Sequence, residues 1–170
     1  LILPENQVQD AAGNKNAAAT FTFHTVAAEP ETHETIGGFK SGAEPEEKTP
    51  LSGTSFSLYN KGSRNDNNMK IKNGYFVVEP KTGYTITKIE VTWREGSSYG
   101  PSDKSGLTVT NGKATSATEI EPTDGTQAVT VAPNPTGSDW QYTAITVYYI
   151  TLPVPTLTLS STSVDGTVGT

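Results

Sequence analysis

Cysteine is absent from the 170 residues, so no disulfide staples the chain and thiolate catalysis and Cys-based metal sites are closed to it. Good helix formers are scarce. There are eight Leu and one Met, Met69, and Ala clusters without a 3.6-residue period, so no helix of ordinary length is demanded. No apolar run approaches the ~20 residues that a membrane-spanning helix needs, and no direct membrane insertion is expected. Positive charge is also short: 12 Lys and Arg against 18 Asp and Glu leave a net −6 and a pI near 4.9. The basic stripe that a nucleic-acid partner requires is missing along the chain, as is a Lys/Arg run suited to an anionic membrane. The chain starts at Leu1 rather than Met, as expected of a processed form with any signal peptide removed.

What is present favours strands. Thr occurs 27 times beside 16 Gly, 11 Pro, seven Tyr, five Phe and two Trp, a β-branched and aromatic set punctuated by turn formers. Leu1 to Leu3 precede a Pro as a short edge strand, and residues 5–19 read as a polar, Ala-rich loop. Ala19 to His24 alternates, with Phe21 and Phe23 on one face. Residues 28–50 are Glu-, Pro- and Gly-rich, which predicts a long acidic surface loop. Ser55 to Tyr59 reads as a strand with Phe56 and Leu58 sharing a face, and Asn60 to Asn68 as a polar loop. Met69 to Lys72 and Tyr75 to Val78 flank Asn73-Gly74, a hairpin turn signal.

Tyr84 to Trp93 has the strongest strand pattern, with Ile89, Val91 and Trp93 opposite Lys88, Glu90 and Thr92. Ile86 is out of phase with Ile89, which predicts a bulge between them. Leu107 and Val109 lead into Asn111-Gly112, a second hairpin signal, and Lys113 to Ile120 returns. Val129 and Val131 mark another strand, and Gln141 to Ile150 closes the set. The pattern predicts an all-β protein: an antiparallel, jelly-roll-like β-sandwich over 1–151 with strands 84–93 and 141–150 central. Leu152-Pro-Val-Pro155 then forms a stiff linker. The remainder of 152–170 is an isolated stub strand, either the start of a following domain or a strand donated to a neighbour.

Tyr84-Thr-Ile-Thr-Lys-Ile-Glu-Val-Thr-Trp93 and Tyr142-Thr-Ala-Ile-Thr-Val-Tyr-Tyr149 resemble the paired core strands of galactose-binding-like jelly-roll modules. Such modules recur in large secreted and surface proteins of anaerobic gut bacteria. The resemblance covers about residues 50–150 and describes a core rather than a site. Pro155-Thr-Leu-Thr-Leu-Ser-Ser-Thr-Ser-Val164 is similar to the opening strand of the Ig-like domains that often follow them. The resemblance implies a non-catalytic, extracellular or cell-surface role in adhesion or weak glycan attachment within a larger protein, and it supplies no binding residues.

Four aromatic residues are candidates for a sugar platform, because ring faces stack on pyranose rings while nearby amides and carboxylates hold hydroxyls. Tyr99 lies in a Gly/Ser/Pro loop, Trp140 and Tyr142 follow Asn134-Pro-Thr-Gly-Ser-Asp139, and Trp93 ends a core strand. The plainer readings make Trp93 a core residue and Tyr142 a half-buried strand residue, leaving Trp140 and Tyr99 as the exposed pair. Partners of this reading are a glycan or a host or surface protein. The alternative is a structural subunit of a fibre or surface assembly, in which residues 156–160 pair with a neighbouring subunit.

Catalysis is not expected. His24 and His33 are the only histidines, no nucleophile elbow occurs, and nothing pairs Glu90, Glu95, Asp103 or Asp139 across a sugar. No cofactor is expected. A structural calcium would fall on the oxygen-rich stretch 60–68, with Asp66, Asn65 and Asn67 as weak candidate ligands, but its spacing is not that of an EF-hand. A polar turn is the plainer reading of this stretch.

Overall fold

The computed structural model describes residues 2–15, 19–23, 30–39, 50–65, 67–152 and 157–159. These residues form thirteen strands, and the one helical element among them is a single 3-10 turn at Lys104–Gly106. The chain divides into two compact units, Leu1–Ala27 with Pro153–Thr170, and Ala28–Leu152.

In the first unit β1 (Ile2–Leu3) pairs antiparallel with β2 (Ala19–Phe23). The other edge of β2 takes β13 (Leu157–Leu159), with Leu157 opposite Phe23 and Leu159 opposite Phe21. This differs from the expected organisation in two ways. The N-terminal strands group with the tail rather than with the sandwich, and the stub strand has a ladder partner in its own chain. The alternating Thr-Phe and Leu-Thr segments carry matching strand periods, but pairing across more than a hundred residues leaves no mark on local sequence.

The second unit is an antiparallel β-sandwich. Its first strand, β3 (Thr32–Gly37), is followed by β4 (Leu51–Ser52), β5 (Phe56–Asn65), β6 (Asn68–Pro80) and β7 (Tyr84–Trp93). The rest are β8 (Leu107–Thr110), β9 (Gly112–Ala114), β10 (Glu119–Pro122), β11 (Val129–Pro133) and β12 (Gln141–Thr151). One layer runs β3–β12–β7–β10–β9 and the other β4–β5–β6–β11–β8. The two layers are one continuous ladder because β6 belongs to both. Met69 and Lys70 pair with Tyr142 and Gln141 of β12, whereas Phe76, Val77 and Val78 pair with Val131, Thr130 and Val129 of β11.

Alternation along the strands fills the space between layers. Phe56, Leu58, Phe76, Val78, Val129 and Val131 face Ile86, Ile89, Val91, Ile120, Ile145 and Val147, all of them buried. Each such side chain contributes about 1.5–3 kcal/mol by leaving water. As expected, β7 and β12 are central, each with ladder partners on both sides. The expected bulge is present. Lys88 opposes Tyr148 but Ile86 opposes Tyr149, so Thr87 is the extra residue and both Ile86 and Ile89 point inward.

A second irregularity, at Thr143 of β12, resets the facing in the same way. It turns Tyr142 into the core together with Ile145. Tyr142 is fully buried, edge-on to Phe39 at 5.4 Å and tilted against Phe76 at 5.2 Å. Its hydroxyl donates to Oδ1 of buried Asn60 at 2.9 Å, and the surrounding apolar contacts raise its pKa well above the ordinary value.

Three expectations are corrected. Residues 28–50 are not one loop: Thr32–Gly37 is a strand lying along β12, and Phe39 is in the core. Only Ile36 in that strand is a large apolar residue, so no alternation betrays it. Its anchor is Glu34, whose carboxylate accepts from the Thr54 and Ser55 amides at 2.7 and 3.0 Å and from the Ser55 hydroxyl at 2.9 Å. Residues 60–68 are not a loop either, because β5 and β6 continue as hairpin arms to the Asn65–Asn68 pair. Nor is Asn73-Gly74 a turn. It lies inside β6 where the β5 register slips between Lys61 and Ser63, and Gly74 has no side chain because the Lys61 carbonyl occupies that space. Asn111-Gly112 does turn, with Asn111 at φ 58°. It carries the chain from β8 in one layer to β9 in the other rather than closing a hairpin.

Two stability predictions follow from these contacts. Tyr142→Phe leaves buried Asn60 without its donor and is expected to cost about 1–3 kcal/mol, read as a lower urea midpoint with unchanged slope. Partial burial by itself raises the Glu34 pKa. The Ser55 and Thr54 amides, the Ser55 hydroxyl and the charge of Lys81 outweigh it and hold the carboxyl below 4.5. A depressed folded pKa stabilises above the unfolded value and is lost as pH falls through the folded one. The stability gap between wild type and Glu34→Gln is therefore expected to be full at neutral pH and to close below about 4.5. Urea titrations at both ends of that range check it; a pH-independent gap would contradict the role given to Glu34.

Candidate functional site

The four aromatic residues expected to form a loop platform do not assemble into one. Tyr142 is inside the core. Trp140, expected to be exposed, is 8% exposed: its ring meets Trp93 edge-on at 6.0 Å, with Gly106 packed against its six-membered edge. Trp93 is half-buried and donates its indole N–H to the Ala117 carbonyl at 2.8 Å. Tyr99 is half-buried with the Arg94 guanidinium 4.3 Å over its ring. The reason is local. Arg94 Nη1 reaches Gln141 Oε1 at 2.9 Å, and the Arg94 and Gln141 amides donate to Gln141 and Tyr99 carbonyls at 2.7 and 2.8 Å. These bonds draw the 94–100 loop onto the start of β12 and close the space above the two tryptophans.

What remains open at that end is a polar cleft of about 630 Å³ lined by Asn67, Asn68, Thr92, Trp93, Arg94, Glu95 and Thr143. It unites Trp93, whose indole N–H is bonded to the Ala117 carbonyl, with Asn67. Of the candidate calcium ligands, Asn67 is exposed at the hairpin tip, the Asn65 backbone ends β5, and Asp66 lies outside the described residues. Among the described residues no three His, Asp or Glu side chains converge on a metal position. His24 lies outside the described residues, and His33 sits in β3 against the Tyr148 ring at 5.3 Å.

Of the four carboxylates weighed for catalysis, Glu95 is exposed at the polar cleft and the other three are held in structural bonds. Glu90 takes Lys88 at 2.7 Å and the Tyr148 hydroxyl at 3.1 Å, and the Lys88 bond keeps its pKa low despite desolvation. Asp103 caps the 3-10 turn through the Ser105 hydroxyl and amide at 2.6 and 2.7 Å, which lower its pKa. Asp139 is bonded to Lys70 at 2.7 Å, and that bond lowers it. On the outer face of β7 and β12, Lys88 stacks 3.9 Å over Tyr148 while it bonds Glu90, so that cluster is spent on itself.

The outer face of the second layer is different. Phe56, Leu58 and Phe76, Val78 point into the core, so Tyr59, Lys61, Tyr75, Val77 and Glu79 must face outward. The ladder sets Tyr59 opposite Val77 and Lys61 opposite Tyr75, which makes the two tyrosines diagonal neighbours with Val77 between them. With Ala128 they line a shallow depression of about 230 Å³. Its floor is almost wholly apolar, and it has a cation at one end and an anion at the other. Lys61 Nζ stands 5.6 Å over the Tyr75 ring. A hydrogen bond to Glu79 raises the Tyr59 pKa and ties its hydroxyl to the neighbouring strand. Neither tyrosine was a candidate in the sequence. Opposition of Phe56 and Leu58 to Tyr59 was readable, but the register that brings Tyr75 beside it was not. No family model, curated protein or solved structure matches this chain.

Proposed function

We propose that this chain is a non-catalytic, extracellular attachment module that holds carbohydrate weakly on the outer face of β5 and β6. The observation that carries the reading is the Tyr59–Val77–Tyr75 strip with Lys61 and Glu79 at its ends. A pyranose ring has an apolar C–H face and a rim of hydroxyls that both donate and accept. Two tyrosine rings and a valine suit the face, and an ammonium with a carboxylate suits the rim. The depression is shallow and open, so one module binds weakly, and useful strength comes from repetition in a larger assembly. The structural commitments of Glu90, Asp103 and Asp139 also favour attachment over hydrolysis, since a glycosidase needs a carboxyl with its pKa raised to serve as acid. Strand donation by residues 156–160 is less favoured, because Leu157–Leu159 already pairs with Phe21–Phe23.

Trp140→Ala does not test this reading, since Trp140 is part of the core. Tyr59→Ala and Tyr75→Ala do, as both side chains lie on the outer sheet face. Each is expected to keep the wild-type unfolding midpoint and to weaken binding to oligosaccharides about five- to tenfold, the worth of one stacked ring. Glycan-array screening followed by calorimetry measures it. A wild-type protein that captures no glycan, or variants that bind as well as wild type, would remove the basis for the proposal.

A further inference from the structure

Next to the tyrosine strip lies a groove of about 390 Å³ lined by Lys61, Gly62, Ser63, Lys70, Lys72 and Asn73. Lys61 lines both, so the two adjoin at that residue. The groove exists because β6 slips against β5: residues 71–74 face the single step between Lys61 and Ser63. Gly62 and Gly74 permit that slip, since a Cβ on either would run into the facing backbone. Side chains are thereby missing from the floor while three lysines stand around it.

In a chain of net −6, three of the twelve basic residues gathered at one groove make a local field opposite to that of the whole molecule. One of the three is partly neutralised: Lys70 bonds Asp139 at 2.7 Å. Lys61 and Lys72 are exposed, and Lys72 adds its field to that of Lys70 on Asp139. Ser63 and Asn73 supply neutral hydrogen-bonding groups between them. A polyanion such as nucleic acid would meet repulsion from the rest of the surface. An anionic group on a sugar already stacked on the tyrosines needs only this groove.

We propose that the groove makes the module selective for anionic glycans, with a carboxylate or sulfate of the sugar seated among Lys61, Lys70 and Lys72 while an adjacent ring stacks on Tyr59 and Tyr75. This rests on the tyrosine-face reading and names the ligand class for that site. The shared chemistry is a fixed negative charge one sugar unit from a stacked ring, and uronate and sulfate esters both provide it.

The test compares an oligogalacturonide with its methyl ester, and a sulfated galactan oligosaccharide with its desulfated form, by calorimetry on the whole chain. Wild type is expected to prefer at least one charged form about tenfold at low salt. That preference should vanish at about 1 M salt, where the screening length is roughly 3 Å. Lys72→Gln is expected to lose about two- to fivefold on the charged form and nothing on the neutral one, whereas Tyr59→Ala weakens both. Whichever charged form is preferred identifies the anion. Equal binding of charged and neutral forms overturns the selectivity and leaves the tyrosine face standing, and absence of all glycan binding removes both. A preference that survives Lys72→Gln together with Lys61→Gln places the anion elsewhere and overturns the groove. So does lysine-dependent binding to anionic lipid vesicles without any binding to glycans.

Discussion

The hydroxyl of Tyr142, buried at one end of the sandwich and bonded to Asn60, holds the place where the two layers become one ladder. Asn60 belongs to β5 and Tyr142 to β12, and β6 runs between them, pairing with both. A buried hydroxyl and a buried amide oxygen are each costly without a partner, and this bond satisfies both, while Asn60 Nδ2 stays buried without a partner. Phe39 and Phe76 pack on the ring, so the bond forms only when strands from both layers are in register. The slip of β6 at Gly74, which opens the lysine groove, follows directly on Met69 and Lys70, which pair with β5 on one edge and with β12 on the other.

Irregularities in the ladders decide which side chains serve the core and which the surface. The bulge at Thr87 and the extra residue at Thr143 each bring two out-of-phase residues inward. Without the shift at Thr143, Tyr142 would share the outward face of Thr146 and Tyr148 and would resemble the exposed aromatic that its sequence context suggests. With it, the loop-end aromatic residues become a plug, and the aromatic surface that stays open is the flat one carried by regular pairing of β5 with β6. A regular ladder is also the more rigid support, which suits the stacking role proposed for Tyr59 and Tyr75.

The lysine groove shows how charge can be organised without being concentrated in the chain. Lys61 sits in β5 and Lys70 and Lys72 in β6, separated along the sequence by the polar hairpin tip. Their meeting needs the hairpin, its register and its slip. No run of basic residues announces it, and the net charge points the other way. Glu34 plays the comparable part at the opposite sheet edge. One carboxylate turned onto the amides of Thr54 and Ser55 fixes an edge strand whose own residues carry almost no strand signal.

The all-β class, the central places of β7 and β12, the bulge near Thr87 and most of the buried residues were legible in the sequence, because alternation at period two is a local consequence of burying one face. Partnership between distant strands was not. The β3–β12 ladder, the pairing of Phe21–Phe23 with Leu157–Leu159, the inward turn of Tyr142 and Trp140, and the juxtaposition of Tyr59, Tyr75 and the three lysines all depend on register across long separations. Register is chosen by which packing satisfies the most buried groups at once, and no window of neighbouring residues carries that choice. The chain by itself determined what could be buried; the tertiary structure decided what would be left facing water, and the candidate site belongs to that second decision.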